Sequence, residues 1–179
     1  MLAASDAIDW LTHMNWVDFV FLLIIVYSVV TGYWLGFLGE AVTLAGVAAG
    51  TLVAGLIYPN VGDLAGTLGV AKQSQNWVGF VAVYLALAVS FRICSLLARN
   101  ISKVMVRGWS NGVAGSLVGV LVGMMNVLFI IVTVAYFHLG HVDEPVHHSK
   151  IATSSSDWLK EYVGLLPKEM HTIPGLLDK

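Results

Sequence analysis

The sequence predicts an all-α membrane protein with four transmembrane helices in two antiparallel hairpins, followed by a short amphipathic C-terminal helix. Of the 179 residues, 58% are hydrophobic and only 11% are charged, and the mean hydropathy is +0.81. So few charged side chains cannot cover a soluble globule with polar surface. In addition, the apolar residues gather in four runs, each near the roughly 20 residues that a helix needs to cross about 30 Å of hydrocarbon. These observations predict a multi-pass membrane protein, so the lipid bilayer is one of its expected partners.

The four runs cover about 17–35, 41–58, 77–97 and 113–137. None alternates with the period of a barrel strand, and a backbone in lipid must bond within its own segment, so the runs are predicted to be helices. Residues 36–40 are too few for anything but a tight hairpin between the first two helices, whereas the second loop, 59–76, is longer and polar. The chain then divides into an N-terminal extension (1–14), a membrane domain (15–137) and a polar tail (138–179).

The distribution of cations predicts the orientation. The third loop, 98–111, carries three cations: Arg99, Lys103 and Arg107. The other side offers only Lys72 and Lys150, so the positive-inside rule places the third loop in the cytoplasm and both termini in the periplasm. The three cations are spaced by four residues and are expected to contact lipid headgroups, including anionic ones. The net charge of −2 argues against nucleic acid as a partner.

Two predicted helices carry small residues four apart: Gly46, Gly50 and Ala54 in the second, and Gly115, Gly119 and Gly123 in the fourth. In lipid, helices associate where small residues let the backbones approach closely, so these stripes are predicted packing faces. Both helices start from the same side and run parallel, so we expect the two stripes to pack against each other. The alternative is that glycine is common in membrane helices generally.

Four polar residues in or beside the membrane are candidates for function, because each is costly in hydrocarbon: Asp18, Glu40, Arg92 and Asn126. The two carboxylates either cap their helices or contact a partner or a translocating proton. Arg92 is expected to extend its guanidinium to the interface. Asn126 is expected to make an interhelical hydrogen bond.

The tail contains a predicted amphipathic helix at about 155–166, with an apolar face that includes Trp158, Leu159, Tyr162 and Leu166. This helix either rests on the bilayer or docks a membrane or periplasmic protein. Five histidines also follow the last membrane helix: His138, His141, His147, His148 and His171. Their spacing fits no zinc motif, and Cys94 is the only cysteine. We therefore expect no metal site, no other cofactor and no disulfide within the chain.

Several short motifs occur in a characteristic order: N-W-V-D at 15–18, G-F-L-G-E at 36–40, the spaced glycines of the fourth helix, W-L at 158–159 and L-P at 166–167. In this the sequence resembles the colicin V production protein (CvpA) family, whose members typically start near a W-x-D and carry an R-G-F-x-R-E turn. Met14 is then a family-like start. The chain departs from the family at Leu35 and Gly39, where arginines are usual, at Asn111 and Gly112, where Asp-Arg is usual, and at Val122, where an arginine is common.

No catalytic motif is recognisable: G-x-S-x-G, H-E-x-x-H, a P-loop and a dinucleotide fingerprint are all missing from the sequence. An enzyme is therefore not expected. The resemblance implies an inner-membrane protein with a role in colicin V (toxin) production or export and in envelope maintenance, acting through protein-protein contacts. The alternative is a small channel or transporter subunit, in which a homo-oligomer forms a pore lined by Asp18, Glu40 or Asn126.

Overall fold

The computed structural model describes residues 14–105, 108–137 and 149–154, together with Val146, Trp158 and Val163, with backbone alone for 98–105 and for Ser154. The described residues are almost all helical and contain no β-strand, which confirms the all-α class for this part of the chain. The elements are α1 (Trp16–Thr67), a 3₁₀ turn (Lys72–Ser74), α2 (Gln75–Met105), α3 (Trp109–Phe137) and α4 (Lys150–Ser154).

The outer surface of the long helices is apolar. Three stretches are long and apolar enough to cross a membrane: Trp16–Thr67, Lys72–Leu97 and Trp109–Phe137. Large apolar side chains on them point outward, with Leu23, Leu56 and Leu117 each more than two-thirds exposed. Soluble proteins rarely leave such large contiguous apolar surfaces in water. The molecule therefore has the surface of a membrane protein.

Helix α1 is broken at Gly36. It has 52 residues, so a straight α1 would measure about 78 Å at 1.5 Å per residue, far more than one bilayer thickness. Gly36 has φ 75° and ψ 174°, a conformation that favours glycine, and the side-chain Oδ1 of Asn111 accepts a hydrogen bond from the freed N–H of Phe37 at 3.1 Å. Ser28 before the break and Thr43 after it line one cavity, so the first arm (16–35) and the second arm (37–67) face each other.

The second arm continues through Pro59 to Thr67, so the prediction of a loop over 59–76 is wrong for residues 59–67. A helix end at Pro59 is the expectation from sequence, because an internal proline removes a backbone donor and costs about 3 kcal/mol. Close packing on α2 offsets this cost: a Cβ on Gly62 would lie 2.7 Å from the carbonyl oxygen of Gln75, and Gly79 lies against Tyr58 and Gly62. The connection to α2 is correspondingly short.

The first arm packs antiparallel to α3. The contacts join Gly32 to Gly115, Ser28 to Gly119 and Ile25 to Gly123, so residue numbers fall along one helix as they rise along the other. The nearest atoms at each of these glycines include backbone atoms of the first arm. The glycine stripe of α3 therefore brings two backbones into direct contact.

The second arm packs antiparallel to α2, with Gly39 against Ser95, Gly46 against Phe91, and Gly50 against Tyr84. The expected packing of the two stripes against each other, with Gly46 beside Gly115, is therefore wrong: each stripe covers a different neighbour. The first arm has no stripe of three small residues four apart. Gly32 and Ser28 nevertheless make its surface facing α3 equally small.

Aromatic rings join α2 to α3. Tyr84 stacks on Phe129, with ring centroids 3.5 Å apart and an interplanar angle of 12°, and Phe80 stacks on the same ring at 5.0 Å. Tyr58 of the second arm packs edge-on against Phe80. This layer fills the bundle in the half that lies away from Gly36.

The described part of the tail lies against the helices. Val146, Ala152 and Val163 are each no more than 3% exposed and belong to the same apolar core as the long helices. Of the amphipathic helix predicted at 155–166, only Trp158 and Val163 fall among the described residues. Leu159, Tyr162 and Leu166 lie outside them.

Candidate functional site

An ion pair links the second arm to α2. Nη1 of Arg92 donates to Oε2 of Glu40 at 3.2 Å and to Oγ1 of Thr43 at 3.3 Å. Glu40 is fully buried, and the side chain of Arg92 is 28% exposed. The guanidinium thus bonds a buried carboxylate of the neighbouring helix, a partner that was not predicted for Arg92. Glu40 also lies in the first turn of the second arm, as the helix-capping interpretation required.

One oxygen of this pair has no partner. Oε1 of Glu40 is the only buried side-chain nitrogen or oxygen among the described residues that makes no hydrogen bond. Leaving a buried polar group unbonded costs roughly 1–3 kcal/mol, and more for a charged group. A cavity of about 250 Å³ adjoins the pair, with walls from both arms of α1, from α2 and from α3. The site can therefore receive a ligand that donates a hydrogen bond.

A second polar contact lies deeper in the bundle. The hydroxyl of Tyr84 donates to Oδ1 of Asn126 at 2.7 Å, and Nδ2 of Asn126 donates to the carbonyl of Val122 in its own helix at 2.7 Å. Asn126 thus has the interhelical partner expected of an amide between membrane helices. It also lines the cavity beside Glu40 and Arg92, so three of the four polar candidates meet at one place.

Asp18 lies elsewhere, at the start of α1, where its carboxylate caps the helix and bonds the tail. Its Oδ2 accepts from the backbone N–H of Asn15 at 2.9 Å, which forms a capping box with Asn15 as the N-cap. Its carboxylate also holds the tail: Ser149 Oγ donates to Oδ1 at 2.6 Å, and the N–H of Ile151 donates to the same oxygen at 3.0 Å. The sequence predicted the cap and missed the tail contact.

The other predicted residues lie partly within and partly outside the described structure. Gly46, Gly50, Ala54, Gly115, Gly119 and Gly123 lie buried between helices, as described above. The side chains of Arg99, Lys103 and Arg107, and the five tail histidines, lie outside the described part of the structure. Trp158 is 54% exposed. No group of three or more His, Cys, Asp or Glu side chains within the described part could hold a metal ion.

The sequence carries a signal for the Glu40–Arg92 pair. Glu40 begins the second predicted helix on the side where the third one ends, and Arg92 lies five residues before that end. Neighbouring antiparallel helices bring such positions to the same depth, and opposite charges in a membrane tend to pair. Asp18 and Ser149 are separated by 131 residues, and no pattern in the sequence links them.

Comparison with protein families supports the resemblance. The family model described as Colicin V production protein matches residues 17–159, which is most of the chain and includes Glu40, Arg92, Asn126 and Asp18. Comparison with the curated proteins gives no match, and comparison with the solved structures gives none either. The tail beyond Leu159, with Leu166 and Pro167, lies outside the matched region.

Proposed function

Because the chain belongs to the Colicin V production protein family, we propose that it is a multi-pass inner-membrane protein that takes part in the production or export of colicin V and in maintenance of the cell envelope. The family match over residues 17–159 carries this proposal. We further propose that the protein acts by binding other proteins and not by catalysis. In support, the family is not a known enzyme family.

The proposed topology has four crossings in two hairpins, with the third loop in the cytoplasm and both termini in the periplasm. It is supported by the break at Gly36, which leaves a first arm about 30 Å long at 1.5 Å per residue, enough for one crossing. The cations of the third loop support the orientation. Alkaline phosphatase fused to the C-terminus should be active and a fluorescent protein at the same site dark. The reverse pattern would place the tail in the cytoplasm.

The tail is the proposed contact surface for a membrane or periplasmic protein. Its start is held on the bundle by Asp18 through Ser149 and Ile151, and Trp158 remains more than half exposed beyond that anchor. A large aromatic ring on an anchored segment suits an interface, because such rings commonly provide the central contacts. The second loop offers a further surface on the same side of the proposed topology.

A deletion strain tests the proposed role. Loss of the protein should reduce the amount of colicin V released and increase sensitivity of the envelope to detergent, and the full chain should restore both. A chain ending at Thr153 keeps the anchor residues Ser149 and Ile151 and removes the later part of the tail, which contains Trp158. We expect it to insert normally and to fail in complementation. Normal toxin release and normal detergent resistance in the deletion strain would contradict the proposal.

A channel or transporter subunit is the second candidate, and one observation favours it. Glu40 and Arg92 form an ion pair at a cavity bordered by both arms of α1, by α2 and by α3, and buried ionisable residues commonly mark transport pathways. Beyond Asn126, however, the adjoining groove is lined mainly by apolar residues such as Phe129, Ile130 and Val134. A pore would therefore require several copies. Ion flux through purified protein in liposomes, abolished by Glu40→Gln, would favour this candidate over the first.

A further inference from the structure

The cavity beside Glu40 opens sideways onto the apolar outer surface. Two of its wall residues are largely exposed: Tyr27 of the first arm at 66% and Val89 of α2 at 56%. The opening therefore lies between the first arm and α2. In a membrane this surface faces hydrocarbon, so a molecule that enters the cavity by this route comes from the bilayer.

At the polar end of the cavity, Glu40 lacks a hydrogen-bond donor for one oxygen, and Arg92 lacks acceptors for part of its guanidinium. Oε1 of Glu40 is buried without a hydrogen bond, and it can be satisfied only by a donor. Arg92 makes its contacts through Nη1 alone, so Nε and Nη2 make no hydrogen bond within the described part of the chain. A planar guanidinium with free donors suits a phosphate group. A ligand that combines a hydrogen-bond donor with an anionic acceptor satisfies both residues, and a positively charged donor beside a phosphate matches the two charges best.

An apolar groove continues from the cavity. It has a volume of about 370 Å³, shares Ile24 and Asn126 with the cavity, and is lined by side chains such as Leu85 and Phe129. The walls extend along α3 from Val122 in the cavity to Val134 in the groove, which is about 18 Å of helix at 1.5 Å per residue. One half of the hydrocarbon core is about 15 Å thick. The groove can therefore hold one acyl chain.

The polar end lies at the depth of a headgroup. Thr31 lines it, and Tyr33 and Trp34, which follow within one helical turn, are 50% and 67% exposed. Such amphipathic rings settle at the membrane interface. From this end the cavity leads inward to Ile24 and Asn126, and the groove continues beyond them along α3 toward Phe137. A lipid chain leaves its headgroup in the same direction.

We propose that this site binds one phospholipid whose headgroup carries a phosphate and a primary ammonium, as in phosphatidylethanolamine. Arg92 contacts the phosphate, Oε1 of Glu40 accepts a hydrogen bond from the ammonium, and one acyl chain lies along Phe129 and Ile130. The proposal requires only that the chain lies in a membrane. It is independent of the role in toxin production.

Headgroup chemistry and native mass spectrometry together test the site. The protein is purified in detergent and supplied in turn with phosphatidylethanolamine, phosphatidylcholine, whose quaternary ammonium cannot donate a hydrogen bond, and phosphatidylglycerol, which has no ammonium. We expect a one-to-one complex with phosphatidylethanolamine that is about tenfold tighter than with either of the others. Phosphatidylcholine offers no donor to Glu40, and phosphatidylglycerol offers only a neutral hydroxyl, so the hydrogen bond between opposite charges is lost in both.

Three variants locate the bound lipid. Ala88→Leu fills the cavity without removing a charge and should abolish the selective complex. Glu40→Gln keeps the shape of the side chain but removes the negative charge that attracts the ammonium, so phosphatidylethanolamine should lose its advantage. Leu117→Phe, which enlarges an exposed residue of α3 that does not line the cavity, should bind as the wild type does. Thermal unfolding of each variant shows whether it remains folded.

The outcomes separate the alternatives. Equal retention of the three lipids by the wild type would overturn the proposal, as would selective retention that survives Ala88→Leu, because the lipid would then lie elsewhere on the surface. A dimer that is lost in Ala88→Leu and binds no lipid would identify a second copy of the chain as the occupant and would also overturn it. Lipid binding is measured on the purified protein, so its outcome does not depend on whether the chain complements the deletion strain.

Discussion

Replacing Gly119 tests whether the first arm and α3 are held together by backbone contact. A Cβ at this position would overlap the carbonyl oxygen of Ser28 and lie 3.0 Å from its carbonyl carbon and 3.2 Å from Cα of Val29. These are backbone atoms of the facing helix, so no side chain can rotate away. Gly119→Ala must therefore move the two helices apart.

The size of the effect follows from that displacement. Carbon atoms in contact lie about 3.5–4.0 Å apart, so the helices must separate by about 0.5–1 Å, which forfeits a quarter to a half of the dispersion energy in each contact that opens. Those contacts include the pairs of Gly115 with Gly32 and of Gly123 with Ile25. Overpacking generally costs about 1–3 kcal/mol. We expect about 2 kcal/mol for Gly119→Ala and about 3 kcal/mol or more for Gly119→Ile.

Thermal unfolding in detergent, followed by tryptophan fluorescence, measures this loss. At about 2–4 °C per kcal/mol for a chain of this size, Gly119→Ala should lower Tm by about 4–8 °C and Gly119→Ile by more. Leu117→Phe is the matched control, because Leu117 lies on the same helix and is 67% exposed. A Tm for Gly119→Ile within about 1 °C of that control would refute the contact, since the stripe would then face lipid.

A crosslink identifies the helix that the stripe touches. Ser116 Oγ lies 3.3 Å from the carbonyl oxygen of Val29, so cysteines at positions 29 and 116, with Cys94→Ser to remove the native thiol, should join under mild oxidation. Gly119→Ile should suppress the crosslink. Efficient crosslinking between positions 47 and 116 instead would restore the parallel pairing of the two glycine stripes and contradict the structure.

Three further predictions concern the polar contacts and the tail. Arg92→Met leaves the buried carboxylate of Glu40 without its cation and should reduce stability by about 3 kcal/mol. Adding Glu40→Gln to this variant should restore part of the loss. Equal Tm values for the wild type, the single variant and the double variant would mean that the pair contributes nothing. Asp18→Asn should lower stability by about 1 kcal/mol through the weakened cap and speed amide hydrogen exchange at 149–151. The control is Asp63→Asn, at an exposed position of the second arm, which should change neither. Unchanged exchange in Asp18→Asn would mean that Asp18 does not hold the tail. Trp158→Ala and Trp158→Leu should both impair complementation at normal abundance if Trp158 anchors a partner, and full activity of Trp158→Leu would reduce the tail to a passive contact with lipid.

Several features of this protein are determined locally and could be predicted from the sequence. Hydropathy over about 20 residues decides whether a segment enters lipid, which is why all three candidate membrane spans were recognisable. The N-cap was also predictable, because Asn15 and Asp18 are only three residues apart and bond each other's backbone. The turn at Gly36 was visible in the short interval between two apolar runs. The helix end at Pro59 was not, because packing against Gln75 and Gly79 outweighs the local preference.

The partners of each face were decided only by the tertiary structure. A stripe of glycines indicates which side of a helix is small, but Gly119 meets Ser28 and not the stripe of Gly46 because the first arm supplies an equally small surface. In the same way, Glu40 and Arg92 lie 52 residues apart in the chain, and Asp18 and Ser149 lie 131 apart. Composition and periodicity describe what a residue can bond, whereas the partner depends on which helices the turns bring together and at what depth.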